Sequence, residues 1–416
     1  MKKLMTLALL SATALTAPAK AEDSVEVLHW WTSGGEAAAV SVLKDALQAK
    51  GVTWNDMPVA GGSGEAAMTV VRSRVTAGNP PTSVQMLGYD ILEWADQGAL
   101  SNLDATAKAE GWDDVVPQAL QFFAKSDGHW VSAPVNVHST NWVWTSGKIM
   151  EELGVTEAPA DFAGLLDIAK RAQDAGYIGI AHGGQPWQEA TVFDSVAIAT
   201  GGLDWYKKVF VELDQDAINS PTMIEALNNL GEYRALVDDN FSGRDWNLAT
   251  AMVINDQAAF QIMGDWAKGE FVNAGEVAGE DFQCWRVPGT EGVVTFNADQ
   301  FAMFNVGDDR KNAQAEMASS VMSPEFQVAF NIVKGSAPAR IDVSDAEFDA
   351  CGKKGMADLK AANAGGTLVG SQAQGHANRP AVKTAFSDAI TAFFNGELTA
   401  EEAAEEMADT VAIAQQ

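Results

Sequence analysis

The stretch VEVLHWWTSGGE, residues Val25–Glu36, decides how this chain is read. Val25–Trp30 has strand composition, and Glu36–Lys50 then sets Val40, Leu43 and Leu47 on one helical face before Gly51 ends it. The paired Trp30 and Trp31 fall where the strand becomes a helix, the place at which open α/β sheets bind their ligands.

Toward the N-terminus, Met1–Ala21 reads as an export signal: Lys2 and Lys3, an apolar run from Leu4 to Leu15, and the small-residue ending Ala19-Lys20-Ala21. That run is shorter than the ~20 residues a membrane span needs, so cleavage after Ala21 is expected rather than insertion. The formal charge of −29 argues against nucleic acid or anionic lipid as partners, since either demands clustered Lys and Arg. A solvated acidic surface accounts for it. Cys284 and Cys351 are the only cysteines, and an oxidising compartment would allow them to pair.

Toward the C-terminus the β-turn-α pattern repeats. The loop Gly61-Gly62-Ser63-Gly64 leads into a helical stretch to Ala77, Asn79-Pro80-Pro81 breaks it, and Ser83–Leu87 is an apolar strand before helical Tyr89–Gln97. This predicts a doubly wound layer with parallel strands. A chain of 416 residues exceeds the ~250–300 at which one hydrophobic core stops growing, so a second lobe is needed. Its elements are helix Asp161–Ala175, strand Tyr177–Ala181, a helix opening at Ser220-Pro221, and strand Ala258–Met263. Three stretches suit crossings between lobes: HWVSAPVNVHSTNWVWT from His129, a long strand Val293–Val306, and KGSAPAR at Lys334–Arg340. The expected fold is α/β with two lobes joined by several hinge crossings. The first lobe is 22–133 plus 290–335; the second, mostly helical, is 134–289 plus 336–416.

No metal-binding or nucleophile chemistry is indicated. The five histidines never take ligand spacing, and HExxH, GxSxG and phosphate-loop patterns are absent. GGSG lacks the third glycine of a dinucleotide fingerprint and reads as a tight turn, so no cofactor is expected. Tryptophan, however, outnumbers tyrosine 13 to 4, and Trp30, Trp31, Trp246 and Trp266 fall at element ends beside polar residues. A pyranose packs its C–H faces on an indole while its hydroxyls need Asp, Glu, Gln, Asn, Lys or His around the rim. Each tryptophan alone is better explained by core packing. Glu36 alone suits the positive end of a helix, Asp299 an ordinary strand end, and Lys334 a solvated surface.

Together these pieces are specific. LHWWTSGGE (Leu28–Glu36), GGSGE (Gly61–Glu65), PVNVHSTN (Pro134–Asn141), FQIMGDWA (Phe260–Ala267), NADQF (Asn297–Phe301) and KGSAPAR (Lys334–Arg340) span nearly the whole chain after the signal. In that order they resemble family 1 extracellular solute-binding proteins of carbohydrate ABC importers, most closely the periplasmic glucose/mannose-binding members. The resemblance implies a periplasmic binding protein clamp with its ligand cleft between the lobes. It also implies a sugar ligand, an inner-membrane permease with its ATPase subunit as partner, a monomer, and no catalysis. By resemblance Trp30, Trp31 and Glu36 contact sugar from the first lobe, Trp266 stacks from the second, Asp299 and Lys334 bond hydroxyls, and Trp246 lies nearby.

Two departures touch specificity. Leu87 stands where glucose-binding relatives carry a basic or polar side chain, and GSQAQGHANRP (Gly370–Pro380) puts Gln374 at an expected histidine, with His376 two residues on. Either of these two is expected to reach the sugar. The alternatives are an exported glycoside hydrolase using Glu36 and Asp299, whose carboxylates would stand ~5–5.5 or ~6.5–9.5 Å apart, and a receptor for another polar solute such as a polyamine or amino acid.

Overall fold

A computed structural model describes residues 23–415 of the chain; the expected export signal lies outside them. The opening is built as its sequence predicts, with strand Ser24–His29 feeding helix Gly34–Ala49. The S-x-x-E pattern makes a capping box: Ser33 Oγ accepts from the Glu36 amide at 3.4 Å, and Glu36 Oε2 accepts from the Ser33 amide at 3.3 Å. Helix Glu65–Thr76 and strand Ser83–Leu87 complete the unit.

The first sheet runs in the order Thr53–Pro58, Ser24–His29, Ser83–Leu87, Asp299–Met303, Ser132–Pro134. Its first three strands are parallel, while Asp299–Met303 pairs antiparallel with both neighbours. The second lobe's sheet runs Phe282–Arg286, Trp142–Ser146, Ala258–Ile262, Ile178–Ile180, with long helices packed around it. Separate apolar cores follow: Val27, Leu28, Met86, Phe301 and Phe330 in the first lobe, Phe193, Phe210, Phe260 and Phe386 in the second.

Between the lobes lies a small third sheet, ordered Ala337–Pro338, Asn136–Ser139, Val294–Asn297, Leu368–Gly370. All three expected crossings run through it. The apolar run Val293–Val306 is not one strand as its composition suggests. It divides at Ala298 into Val294–Asn297 in the small sheet and Asp299–Met303 in the first lobe's sheet. Val135 likewise separates Ser132–Pro134 from Asn136–Ser139. Single residues thus carry the chain from one sheet to another, which places hinge residues beside the cleft. Cys284 and Cys351 are disulfide-bonded, with Cα atoms 6.0 Å apart.

The lobes are closed on each other. The Gly35 amide at the start of the first helix donates to Glu270 Oε1 at 2.9 Å, and the Tyr89 amide donates to the Gly375 carbonyl at 3.0 Å. The first lobe's Gly62 lies so close to the second lobe's Trp187 that a Cβ there would sit 2.3 Å from the indole.

Candidate functional site

A cavity of about 180 Å³ lies between the closed lobes, below the ~300–1,000 Å³ that holds drug-sized ligands. Of the nine residues expected to contact ligand, eight line it: Trp30, Trp31, Glu36, Trp246, Trp266, Asp299, Lys334 and Gln374. Leu87 lines it as well.

On the first lobe's side the polar groups are held by their protein neighbours. Glu36 Oε2 accepts from the Thr32 and Ser33 amides at 3.1 and 3.3 Å, so its helix-capping role is real. Its Oε1 lies 3.4 Å from Lys334 Nζ, so the same carboxylate also faces the cavity's lysine. Lys334 is only 2% exposed, and among the described residues that is its one ion pair; the solvated-lysine explanation fails. An ammonium has three N–H groups, and this one keeps donors to spare. Asp299 accepts from Gln85 Nε2 at 2.7 Å on Oδ1 and from Asn136 Nδ2 at 2.9 Å on Oδ2. Burial alone would raise its pKa, but hydrogen bonds from His138 and Gln85 and the charges of His138 and Lys334 hold it below the usual carboxylate range. Asp299 is therefore an anion and an acceptor only.

The second lobe's side is aromatic. Trp187, Trp246 and Trp266 belong to a buried tryptophan-rich cluster with Trp142 and Trp144. The Trp187 and Trp266 rings lie 6.2 Å apart at 49°. Trp31 is more deeply embedded in core, against Phe301 and Phe330 at 5.7 and 5.2 Å. Core packing and cavity lining hold together for that residue.

His376 departs from expectation, since it is not among the lining residues. Its Nδ1 donates to the Gln374 carbonyl at 2.9 Å and its Nε2 accepts from the Ala298 amide at 3.1 Å, which secures the backbone where one strand ends and the next begins. Burial pushes its pKa down to about 4, leaving it neutral and able to accept. Gln374 instead reaches the cavity wall, with Nε2 donating to Thr191 Oγ1 at 2.9 Å.

Sequence reasoning missed Ser63, His138, Trp187 and Asn297. Ser63 sits in the GGSG loop, a tight turn as expected, which also lays Gly64 under Trp30; a Cβ on Gly64 would lie 2.8 Å from that ring. Trp187 follows Pro186 at the start of helix Pro186–Phe210, a Pro-Trp signal legible as a helix start only. Ser63 Oγ, Trp266 Nε1 and Asn297 Oδ1 are buried with no hydrogen-bond partner among the described residues. Among the described residues no group of His, Cys, Asp and Glu is placed to hold a metal.

The family described as bacterial extracellular solute-binding protein matches residues 31–318. A "probable sugar-binding periplasmic protein" of Rhizobium meliloti (strain 1021) is 58% identical over 412 residues, covering 99% of each chain. Among solved structures, a chitin oligosaccharide binding protein superposes with TM-score 0.80 at 17% identity, covering 94% of this chain and 98% of that one. A bacterial solute receptor described as having an exclusive preference for b-D-galactopyranose gives 0.79 at 17%, covering 95% and 100%. At such identities the structural likeness speaks for the fold, a two-lobed α/β clamp.

Proposed function

From this chain's membership of the bacterial extracellular solute-binding protein family, we propose that it is a periplasmic sugar receptor of an ABC importer. It captures a mono- or small oligosaccharide between its lobes and delivers it to an inner-membrane permease driven by an ATPase subunit. The observation that carries this reading is the mixture of unspent polar atoms between tryptophans. Lys334 and Trp266 Nε1 offer donors, Asn297 Oδ1, Ser63 Oγ and the anionic Asp299 offer acceptors, and Trp30, Trp187 and Trp266 supply flat apolar faces. A sugar presents hydroxyls that both donate and accept around C–H faces. A polyamine site would want carboxylates without the lysine.

The family and the named relatives are binding proteins, and we read this chain as one that catalyses nothing. A glycoside hydrolase needs a protonated carboxyl as general acid. Asp299 is held ionised, and Glu36 is occupied by two amides and Lys334. The receptor works by hinge closure: contacts from both lobes coexist only in the closed form, so ligand shifts the population toward the shape a permease recognises. In this reading the lobes are 22–133 with 290–335 and 134–289 with 336–416, a division favoured by the two separate apolar cores, and the receptor acts as a monomer.

A thermal-shift screen against mono- and disaccharides tests the reading. A ligand present at 100 times its Kd should add about 2.7 kcal/mol of stability by mass action. Shifts with amino acids or polyamines and none with sugars would overturn it, and so would turnover of aryl-glycosides.

A further inference from the structure

His138 occupies the point at which polar groups of both lobes meet. It lies on the small sheet's strand Asn136–Ser139, lines the cavity, and is 2% exposed. Its Nε2 lies 3.0 Å from Oδ2 of Asp299, the first residue of a first-lobe strand. Its Nδ1 contacts Oδ1 of Asp265, which follows the second lobe's strand Ala258–Ile262. Asp265 is fixed in turn by the Ser139 amide at 2.9 Å and Ser139 Oγ at 3.1 Å. The next residue is Trp266, whose ring meets the imidazole edge-on with centroids 5.1 Å apart.

An imidazole that faces a carboxylate from each nitrogen can donate to both only when doubly protonated. In the neutral form one nitrogen would turn a lone pair toward a carboxylate oxygen. Asn136 Nδ2, 3.0 Å from Nε2, is the donor that a neutral ring would use instead. The charged groups facing the ring are Asp265, Asp299 and Lys334, with the imidazole of His376 farther behind. Burial alone would lower the His138 pKa, but the Asp265 charge and the hydrogen bonds to both carboxylates outweigh burial and Lys334, so it is raised.

We propose that His138 is a positioning residue: as an imidazolium shared by Asp265 and Asp299, it couples the aromatic wall at Trp266 to the acceptor Asp299. The spacing between plate and acceptor is then set by one ring on the hinge. This rests on the sugar-receptor reading for its consequence, though not for the state of the ring. Because the folded pKa lies above the ordinary 6.5, the coupling is complete below that value and is lost as pH rises through the folded one.

The first experiment is nitrogen NMR of the histidine rings in the intact, sugar-free protein at about pH 6, where an ordinary histidine is only partly charged. The His138 signal is assigned by its disappearance in His138→Gln or, should that variant not fold, in His138→Asn. Two protonated ring nitrogens are expected; a neutral ring bearing its proton on Nδ1 alone overturns the proposal. The second is calorimetric titration of wild type and His138→Gln with the tightest sugar from the screen. The variant should bind about tenfold or more weakly, the scale of a hydrogen bond to a charged group. Its affinity should also be flat with pH while that of wild type falls on the alkaline side. Equal affinities, or parallel pH profiles, overturn the proposal. If no sugar binds, the receptor reading fails while the NMR result still decides the ring.

Discussion

The two walls of the cleft differ in emphasis, although Trp30 and Trp31 line the first and Asp245, Asn247 and Gln374 the second. The first lobe presents charged and polar groups already tied to their neighbours: Glu36 to two amides and Lys334, Asp299 to Gln85, Asn136 and His138. The second presents indoles from a cluster that shares its packing with the lobe's own interior. A polar group held in place before binding loses little freedom when a ligand arrives, so such a wall supplies orientation. An aromatic wall supplies apolar area without direction. Neither suffices alone, and closure brings them within one cavity.

The largest effect should come from breaking the polar wall. Asp299→Ala leaves the His138 ring, Gln85 and Asn136 facing a void, and removing one partner of a buried ion pair costs about 3–5 kcal/mol. Urea unfolding at neutral pH should record that loss, with sugar binding abolished alongside. Wild-type stability would mean the network is not preformed.

Next in size is a change behind the aromatic wall. Cys351 packs in the tryptophan-rich cluster and is bridged to Cys284 across 67 residues of sequence. Cys284→Ser with Cys351→Ser should lower stability by about 2–4 kcal/mol while leaving sugar affinity unchanged. Parallel losses in calorimetry would show that the aromatic wall depends on this brace and that the contrast between walls is too sharply drawn. Mass spectrometry of periplasmically produced protein should find no free thiol.

Trp266→Ala removes a plate from the ligand's side. It should weaken binding by about 1–3 kcal/mol, the worth of burying a large apolar side chain, and reduce the fluorescence change on sugar addition. Unchanged affinity with an intact near-ultraviolet spectrum would return Trp266 to core packing.

What was legible in the sequence follows the same division. The polar wall starts from local signals, a strand, a capping box and a helix start between Ser24 and Glu36, and these survive without tertiary context. The change of sheet at Ala298 did not survive, because both flanking strands are buried and their apolar run is continuous. Gln374 and His376 share one turn, yet one lines the cavity and donates to Thr191 behind it while the other turns back to the Ala298 amide. Spacing along a turn does not say which way each side chain points. His138 lies within PVNVHSTN, but its meaning depends on Asp265 and Asp299, which only the fold brings to it.

The smallest expected effect concerns which sugar fits rather than how tightly. Leu87 lines the cavity from the strand end registered with Asp299, and it can donate no hydrogen bond. A hydroxyl directed there would go unmatched, so a sugar or glycoside lacking a free hydroxyl at that position should be tolerated or preferred. Gln374 adds an amide held by Thr191 where the resemblance to glucose-binding proteins leads to the expectation of an imidazole. Leu87→Lys with Gln374→His should move preference toward glucose by about 1 kcal/mol, the net worth of one hydrogen bond. Calorimetric titration of both forms with glucose, mannose, xylose and simple glucosides measures the change in ranking. A wild type that already binds glucose best, with a double variant that ranks the sugars identically, would show that specificity lies in the parts of the wall that relatives share.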